Sequence, residues 1–127
     1  PKDIEKNQGV LVRRDTREKY FVSLDELETE IPRLLNELAQ NLYQRALENR
    51  EKRTWAAASM EEVKRLAEEN NGYIKTMWCG SLACEEKMKE EAGLSSRCMP
   101  FEQEHLADTC PCCGKPANLM VYWGKAY

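Results

Sequence analysis

At 127 residues, 42% hydrophobic and 32% charged, the chain suits one or two small domains and is too mixed in composition for a fibrous or low-complexity protein. Its 19 basic and 22 acidic side chains give a formal charge of −3, without the basic excess that by itself argues for nucleic-acid binding, so any such contact must be local. No apolar run approaches the roughly 20 residues needed to cross a bilayer, and the charged, helix-like Pro1-Lys2-Asp3-Ile4-Glu5-Lys6 is neither a secretory nor a transit segment. Because residue 1 is Pro and not Met, a piece of a longer chain is expected.

Taken in chain order, Val10-Leu11-Val12-Arg13-Arg14 and Lys19-Tyr20-Phe21-Val22 are β-branched and aromatic runs around the polar Asp15-Thr16-Arg17-Glu18, which predicts a hairpin. Ser23 followed by Glu26 is a capping-box signature. Beyond it Leu27, Ile31, Leu34, Leu35, Leu38, Leu42 and Ala46 recur at steps of three and four, the pattern of a long amphipathic helix. Pro32 removes one backbone donor and restricts Ile31, so a short helix followed by a longer one from about Pro32 is expected. Residues 1–53 carry 11 basic and 11 acidic side chains, residues 54–127 carry 8 and 11, and all six cysteines lie in the second part. This shift places a domain boundary near Arg53-Thr54.

Past that boundary, Thr54 to Ala58 reads as a short strand, and Ser59 with Glu62 forms a second capping box opening a helix that shows Met60, Val63, Leu66 and Ala67 on one face. Asn70-Asn71-Gly72 ends it. Tyr73 to Trp78 is a strand by content, Leu82 to Ala92 a helix closed by Gly93, and Leu94 to Phe101 and Asn118 to Trp123 are further strands. Strand, helix, strand, helix, strand, loop, strand predicts an α/β fold, an α+β sandwich of sheet on helices.

The cysteines carry the chemistry. Cys79 and Cys84 have four residues between them, and Cys110 and Cys113 have two, followed by Gly114-Lys115. Both spacings allow two thiolates of one loop to reach one tetrahedral zinc ion at about 2.3 Å, and two such knuckles close a structural site with no open position. Three cysteines crowded into Cys110-Pro111-Cys112-Cys113, in an ordinary Glu/Lys-rich chain, favour metal over a disulfide framework. Cys110 pairs with Cys113 or, less favourably, with Cys112. Cys84 at the start of the Leu82 helix is expected to have its thiol pKa lowered by the positive helix end, and Lys115 is a candidate partner for the sulfur charge alongside backbone amides. Cys98, in a predicted strand, is expected to be a buried small hydrophobe, and His105 a surface residue. No phosphate loop, nucleophile elbow or partnered histidine is encoded, so no catalytic residue is assigned. Lys2, Arg13, Arg14, Arg17 and Lys19 beside Tyr20 and Phe21 offer local positive charge with aromatics, the kind of surface that holds RNA phosphate and stacks unpaired bases.

The run Ser95-Ser96-Arg97-Cys98-Met99-Pro100-Phe101, the pairs Trp78-Cys79-Gly80…Cys84-Glu85 and Cys110…Cys113-Gly114-Lys115, and Tyr122-Trp123-Gly124-Lys125-Ala126-Tyr127 together resemble the C-terminal zinc-binding domain of prolyl-tRNA synthetases of the eukaryote-like and archaeal-like type. Pro1-Lys2-Asp3, Asn7-Gln8, Val10 to Asp15 and Leu24-Asp25-Glu26-Leu27 are similar to the end of the class II anticodon-binding domain that precedes it. The resemblance implies residues 1–53 as the end of that α/β domain with its long connecting helix, and 54–127 as a small mixed-sheet zinc domain. It implies zinc on Cys79, Cys84, Cys110 and Cys113, with the additional Cys112 a departure from the family pattern. It further implies a parent enzyme that activates proline with ATP and Mg²⁺ and esterifies it onto tRNA as a cytoplasmic homodimer, with neither membrane nor DNA as partner. Its catalytic domain would lie outside this fragment, tRNA contacts would fall on Lys2 and the basic hairpin residues Arg13 and Arg14, and Tyr127 would reach toward the catalytic domain. The alternative expectation is a stand-alone zinc-dependent RNA- or protein-interaction module.

Overall fold

A computed structural model describes residues 2–126, with only the backbone of Lys2, so the expectations for Tyr127 and for the Lys2 side chain lie outside the described residues. The chain divides into two compact units, Pro1–Asn49 and Arg50–Tyr127.

In the first unit a single helical turn, α1 (Lys2–Glu5), leads into β1 (Gln8–Val12), which pairs antiparallel with β2 (Lys19–Ser23) so that Val10 faces Phe21 and Leu11 faces Tyr20. The hairpin is as the β-branched runs predict. Ser23 then caps a 3-10 turn, Leu24–Glu26, accepting a hydrogen bond from the N–H of Asp25 at 3.3 Å and not from Glu26 three residues on. The long helix α2 (Leu27–Lys52) follows without a break. The expected division at Pro32 is absent because this proline stands in the second turn, where its fixed φ is helical and only one early backbone bond is lost. Val22 and Leu34 are the buried apolar residues of this unit.

The second unit is a four-stranded sheet in the order β3 (Thr54–Ala56), β4 (Tyr73–Trp78), β6 (Leu119–Lys125), β5 (Leu94–Cys98). β3 and β4 run parallel across the helix α3 (Met60–Glu69), whereas β4 and β5 both pair antiparallel with β6, giving the mixed sheet that was expected. The capping box at Ser59 is formed: its hydroxyl accepts from Glu62 N–H at 3.2 Å, and the Glu62 carboxylate accepts from Ala58 N–H at 2.8 Å. Val63, Leu66 and Ala67 of α3 and Met88 of α4 (Leu82–Ala92) pack on Ile74, Leu94, Val121 and Trp123 of the sheet. Thr76 lies within this sheet at 0% exposure; its hydroxyl donates to Met77 O at 3.3 Å and accepts the Trp123 indole N–H at 2.9 Å. A buried indole N–H without such an acceptor would carry its full desolvation cost.

β5 stops at Cys98, short of the expected Phe101, because the register slips between Ser96 and Cys98 and Pro100 has no N–H to donate. The slip also overturns the expectation for Cys98. It sits at the end of an edge strand and is exposed.

Gly72, between α3 and β4, is required by a close approach. A Cβ there would meet Arg53 O at 2.1 Å and the Trp55 ring at 2.8 Å, and that same carbonyl accepts the Tyr73 N–H at 2.8 Å. Gly72→Ala is therefore expected to destabilise this unit by about 3 kcal/mol, the upper end for overpacking, as read from its urea midpoint; a change below about 1 kcal/mol would show that the β3–β4 entry yields freely.

Candidate metal centre

Each cysteine knuckle is built by the chain around it. The first lies where β4 ends and α4 begins: Cys79 follows Trp78 directly, and Cys84 stands in the first turn of α4, its N–H donating to Ser81 O at 3.0 Å. The second is a tight hairpin closed by the bridge between Thr109 and Pro116, with Cys110 N–H donating to Lys115 O and Gly114 N–H to Cys110 O, both at 2.9 Å. Gly114 adopts φ +70°, a backbone conformation that a side chain at this turn would strain. Met77, Ala117 and Met120 pack with the buried Cys84 and Cys110 as a small apolar cluster beneath the two loops.

The sulfurs of Cys79, Cys84, Cys110 and Cys113 all lie within 4.8 Å of one another. Cys79 Sγ is 3.6 Å from both Cys84 Sγ and Cys113 Sγ. A tetrahedron with metal–sulfur bonds of about 2.3 Å has edges of about 3.8 Å, so the spacing fits a four-thiolate ion. Cys112 turns away. Its thiol donates to Cys84 O at 3.5 Å and lies 3.7 Å from Met60 Sδ, so the structure brings Cys113, not Cys112, to the cluster.

Protonation differs among these thiols for identifiable reasons. Burial pushes the Cys84 thiol up, reinforced by the sulfurs of Cys113 and Cys79, the direction opposite to the lowering expected at a helix start. Burial also raises Cys79, against a stabilising backbone N–H from Ser81, and pushes Cys112 up to about 11. Cys113 moves the other way, to about 7, chiefly because the backbone N–H of Lys115 donates to it. The Lys115 side chain itself is exposed; it is the main chain of this residue that meets the sulfur. Such N–H···S contacts orient ligands and stabilise the thiolate form that binds metal.

The remaining candidates are not among the converging sulfurs. His105 is exposed and its Nε2 is 2.9 Å from Asp108 Oδ1. In the first unit Arg13 is not an open surface cation: Nε and Nη2 meet Asp15 at 3.1 and 2.7 Å and Nη1 meets Glu37 at 3.0 Å. Asn41 Nδ2 donates to the same Asp15 at 2.7 Å, and the guanidinium with this amide holds the Asp15 carboxyl well below the usual carboxylate range. The network fastens the hairpin to α2, and nothing in the spacing of Asp15, Glu37 and Asn41 announces it. Arg14 is exposed. No helix among the described residues is long and apolar enough to cross a membrane.

Two cysteine knuckles joined across a mixed sheet define a small α/β domain with a four-cysteine cluster whose geometry fits a metal ion. Residues 60–127, more than half of the chain, match the family described as "Prolyl-tRNA synthetase, C-terminal", and the chain belongs to that family. It is 64% identical over 127 residues to proline–tRNA ligase 2 of Bacillus cereus and 61% identical to proline–tRNA ligase of Clostridium novyi, in each case over 100% of this chain and 27% of the relative. Among solved structures, prolyl-tRNA synthetase from Cryptosporidium parvum complexed with halofuginone and AMPPNP superimposes with a TM-score of 0.90 at 29% identity, over 100% of this chain and 27% of that one. The chain thus spans about a quarter of the length of the relatives it matches.

Proposed function

We propose that this chain is the C-terminal part of a proline–tRNA ligase, and that Cys79, Cys84, Cys110 and Cys113 hold one structural zinc ion that stabilises the domain over 54–127. The convergence of four sulfurs carries this reading. A four-thiolate zinc has no open coordination position, so it organises the fold and offers no site to substrate. The chain's own part is to hold the thiolates: Ser81 and Lys115 amides meet the sulfurs, and the apolar bed of Met77, Ala117 and Met120 fixes their loops.

In the parent enzyme, proline activation with ATP and Mg²⁺ and transfer to tRNA belong to the catalytic domain, acting in a cytoplasmic homodimer, while 1–53 contributes to the anticodon-binding domain. Arg14 and Lys2 are the tRNA contacts in this reading, and Arg13 supports the hairpin through Asp15 and Glu37 instead of reaching for phosphate. A stand-alone interaction module is the weaker reading, because relatives matching the whole of this chain are much longer than it.

Native mass spectrometry of the chain is expected to find one zinc, and proline-dependent pyrophosphate exchange to be absent from it but present in the full-length protein. A metal-free folded chain overturns the zinc assignment, and exchange by the chain alone overturns the division of labour.

A further inference from the structure

In the second unit a recess of about 260 Å³ opens between the start of α4 and the edge strand β5. Trp78, Val121 and Trp123 line it, and Glu85 with Ser96 stands in it as a pair, the hydroxyl donating to the carboxylate. The register slip between Ser96 and Cys98 lies in its lining, and bulges on edge strands commonly re-aim side chains at binding sites. None of this belongs to the cysteine cluster.

The chemistry of the recess is one-sided. The Trp78 indole N–H is committed to Ser81 O at 3.2 Å and that of Trp123 to Thr76 Oγ1 at 2.9 Å, so neither ring keeps a donor for a ligand. Arg97, the cation in the lining, turns its Nη2 onto the carbonyls of Lys125 at 2.6 Å and Gly124 at 3.4 Å. Lys64 and Lys87, on the neighbouring helices, pair with Glu91, and among the described residues Glu85 makes no ion pair. A visitor meets the Glu85 carboxylate beside aromatic surface, with the Arg97 guanidinium drawn by its Nη2 toward the backbone carbonyls at the end of β6. The volume lies just below the roughly 300–1,000 Å³ of small-molecule pockets, which suits a side-chain-sized group and not a nucleotide.

We propose that this recess binds a guanidinium group, laid flat on Trp78 and hydrogen-bonded to the Glu85 carboxylate. A planar delocalised cation satisfies both partners at once: its face meets the ring and its N–H edge meets the carboxylate oxygens, which a compact ammonium does less well. The Ser96 hydroxyl donates to one carboxylate oxygen, Oε1, and so orients the acceptor before the ligand arrives.

The test uses the whole metal-loaded chain and NMR signals of the Trp78 indole and the Ser96 amide. N-acetylarginine methylamide is expected to shift both saturably, and its uncharged citrulline counterpart to bind about tenfold more weakly or worse, since one charge-assisted hydrogen-bonded contact is lost. Glu85→Gln is expected to produce the same loss with metal content unchanged; should that variant fold poorly, the arginine–citrulline comparison on the unaltered chain decides. Methylguanidinium binding as tightly as the arginine derivative assigns the site to free small cations, and clearly weaker binding assigns it to an arginine side chain. Equal binding of arginine and citrulline derivatives, or no saturable shift with either, overturns the proposal.

Discussion

Stripping zinc with a chelator, or replacing Cys84 or Cys110 with alanine, is expected to unfold the unit from Arg50 onward, with loss of amide protection through β3 to β6 and both of its helices. The size of the effect follows from comparing two free energies. Structural zinc binding is worth roughly 10–16 kcal/mol in small peptides near pH 7, whereas a whole domain is stable by about 5–15 kcal/mol. Cys84 and Cys110 are both buried, at 6% and 1% exposure, so each alanine also leaves an incomplete ligand set over the apolar bed formed by Met77, Ala117 and Met120. Because the ligands must be deprotonated and burial holds Cys84 and Cys79 above the ordinary thiol value, zinc affinity is expected to fall steeply as pH is lowered. Cys98→Ala, on the exposed end of β5, is the control and should keep both metal and melting temperature. Metal-free protein with undiminished protection in this unit would refute the assignment.

Trp123→Ala is expected to be the most damaging apolar substitution, costing about 3–5 kcal/mol. Among the described residues the ring is the largest fully buried side chain, it shares one core cluster with Val63, Leu66 and Ala67 of α3 and Met88 of α4, and its N–H meets a threonine with no access to water. Alanine leaves a cavity and removes the donor to Thr76 together. Trp123→Phe separates the two losses, since most of the volume remains while the hydrogen bond goes; about 1–3 kcal/mol is expected there. Urea unfolding followed by far-UV circular dichroism measures both. A phenylalanine variant as damaged as the alanine one would place the energy in the polar contact and not in packing.

Much of this was legible in the sequence because the signals are local. Alternation and β-branched content locate the hairpin and the strands of the second unit, the Ser59–Glu62 box sets the start of α3, and the spacing within each cysteine pair selects the knuckles. The choice of Cys113 over Cys112 is set by the fold of the knuckle, which turns the Cys112 thiol onto Cys84 O and brings Cys113 to the other sulfurs. What could not be read is set by partners distant along the chain. Arg13 looks like a free surface cation until Glu37, 24 residues later, is brought against it, and Cys98 looks like core until the sheet order makes β5 an edge. Cys84 shows the same limit in electrostatics, because a helix start is visible in sequence and the depth of burial that raises its thiol is not.

The sheet order carries a further consequence for how the second unit comes into being. β6 follows every other described strand along the chain yet lies between β4 and β5, hydrogen-bonded to both. During synthesis, β4 and β5 therefore leave the ribosome with no partner between them, and the second cysteine knuckle, only a few residues ahead of β6, follows just before their partner. Domain assembly must wait for residues 119–125, so closure of this sheet is a late, non-local event after the rest of the unit has been translated. Translation halted ahead of residue 119 leaves two adhesive strand edges open, and the cell then sees an aggregation-prone intermediate and not a smaller folded domain.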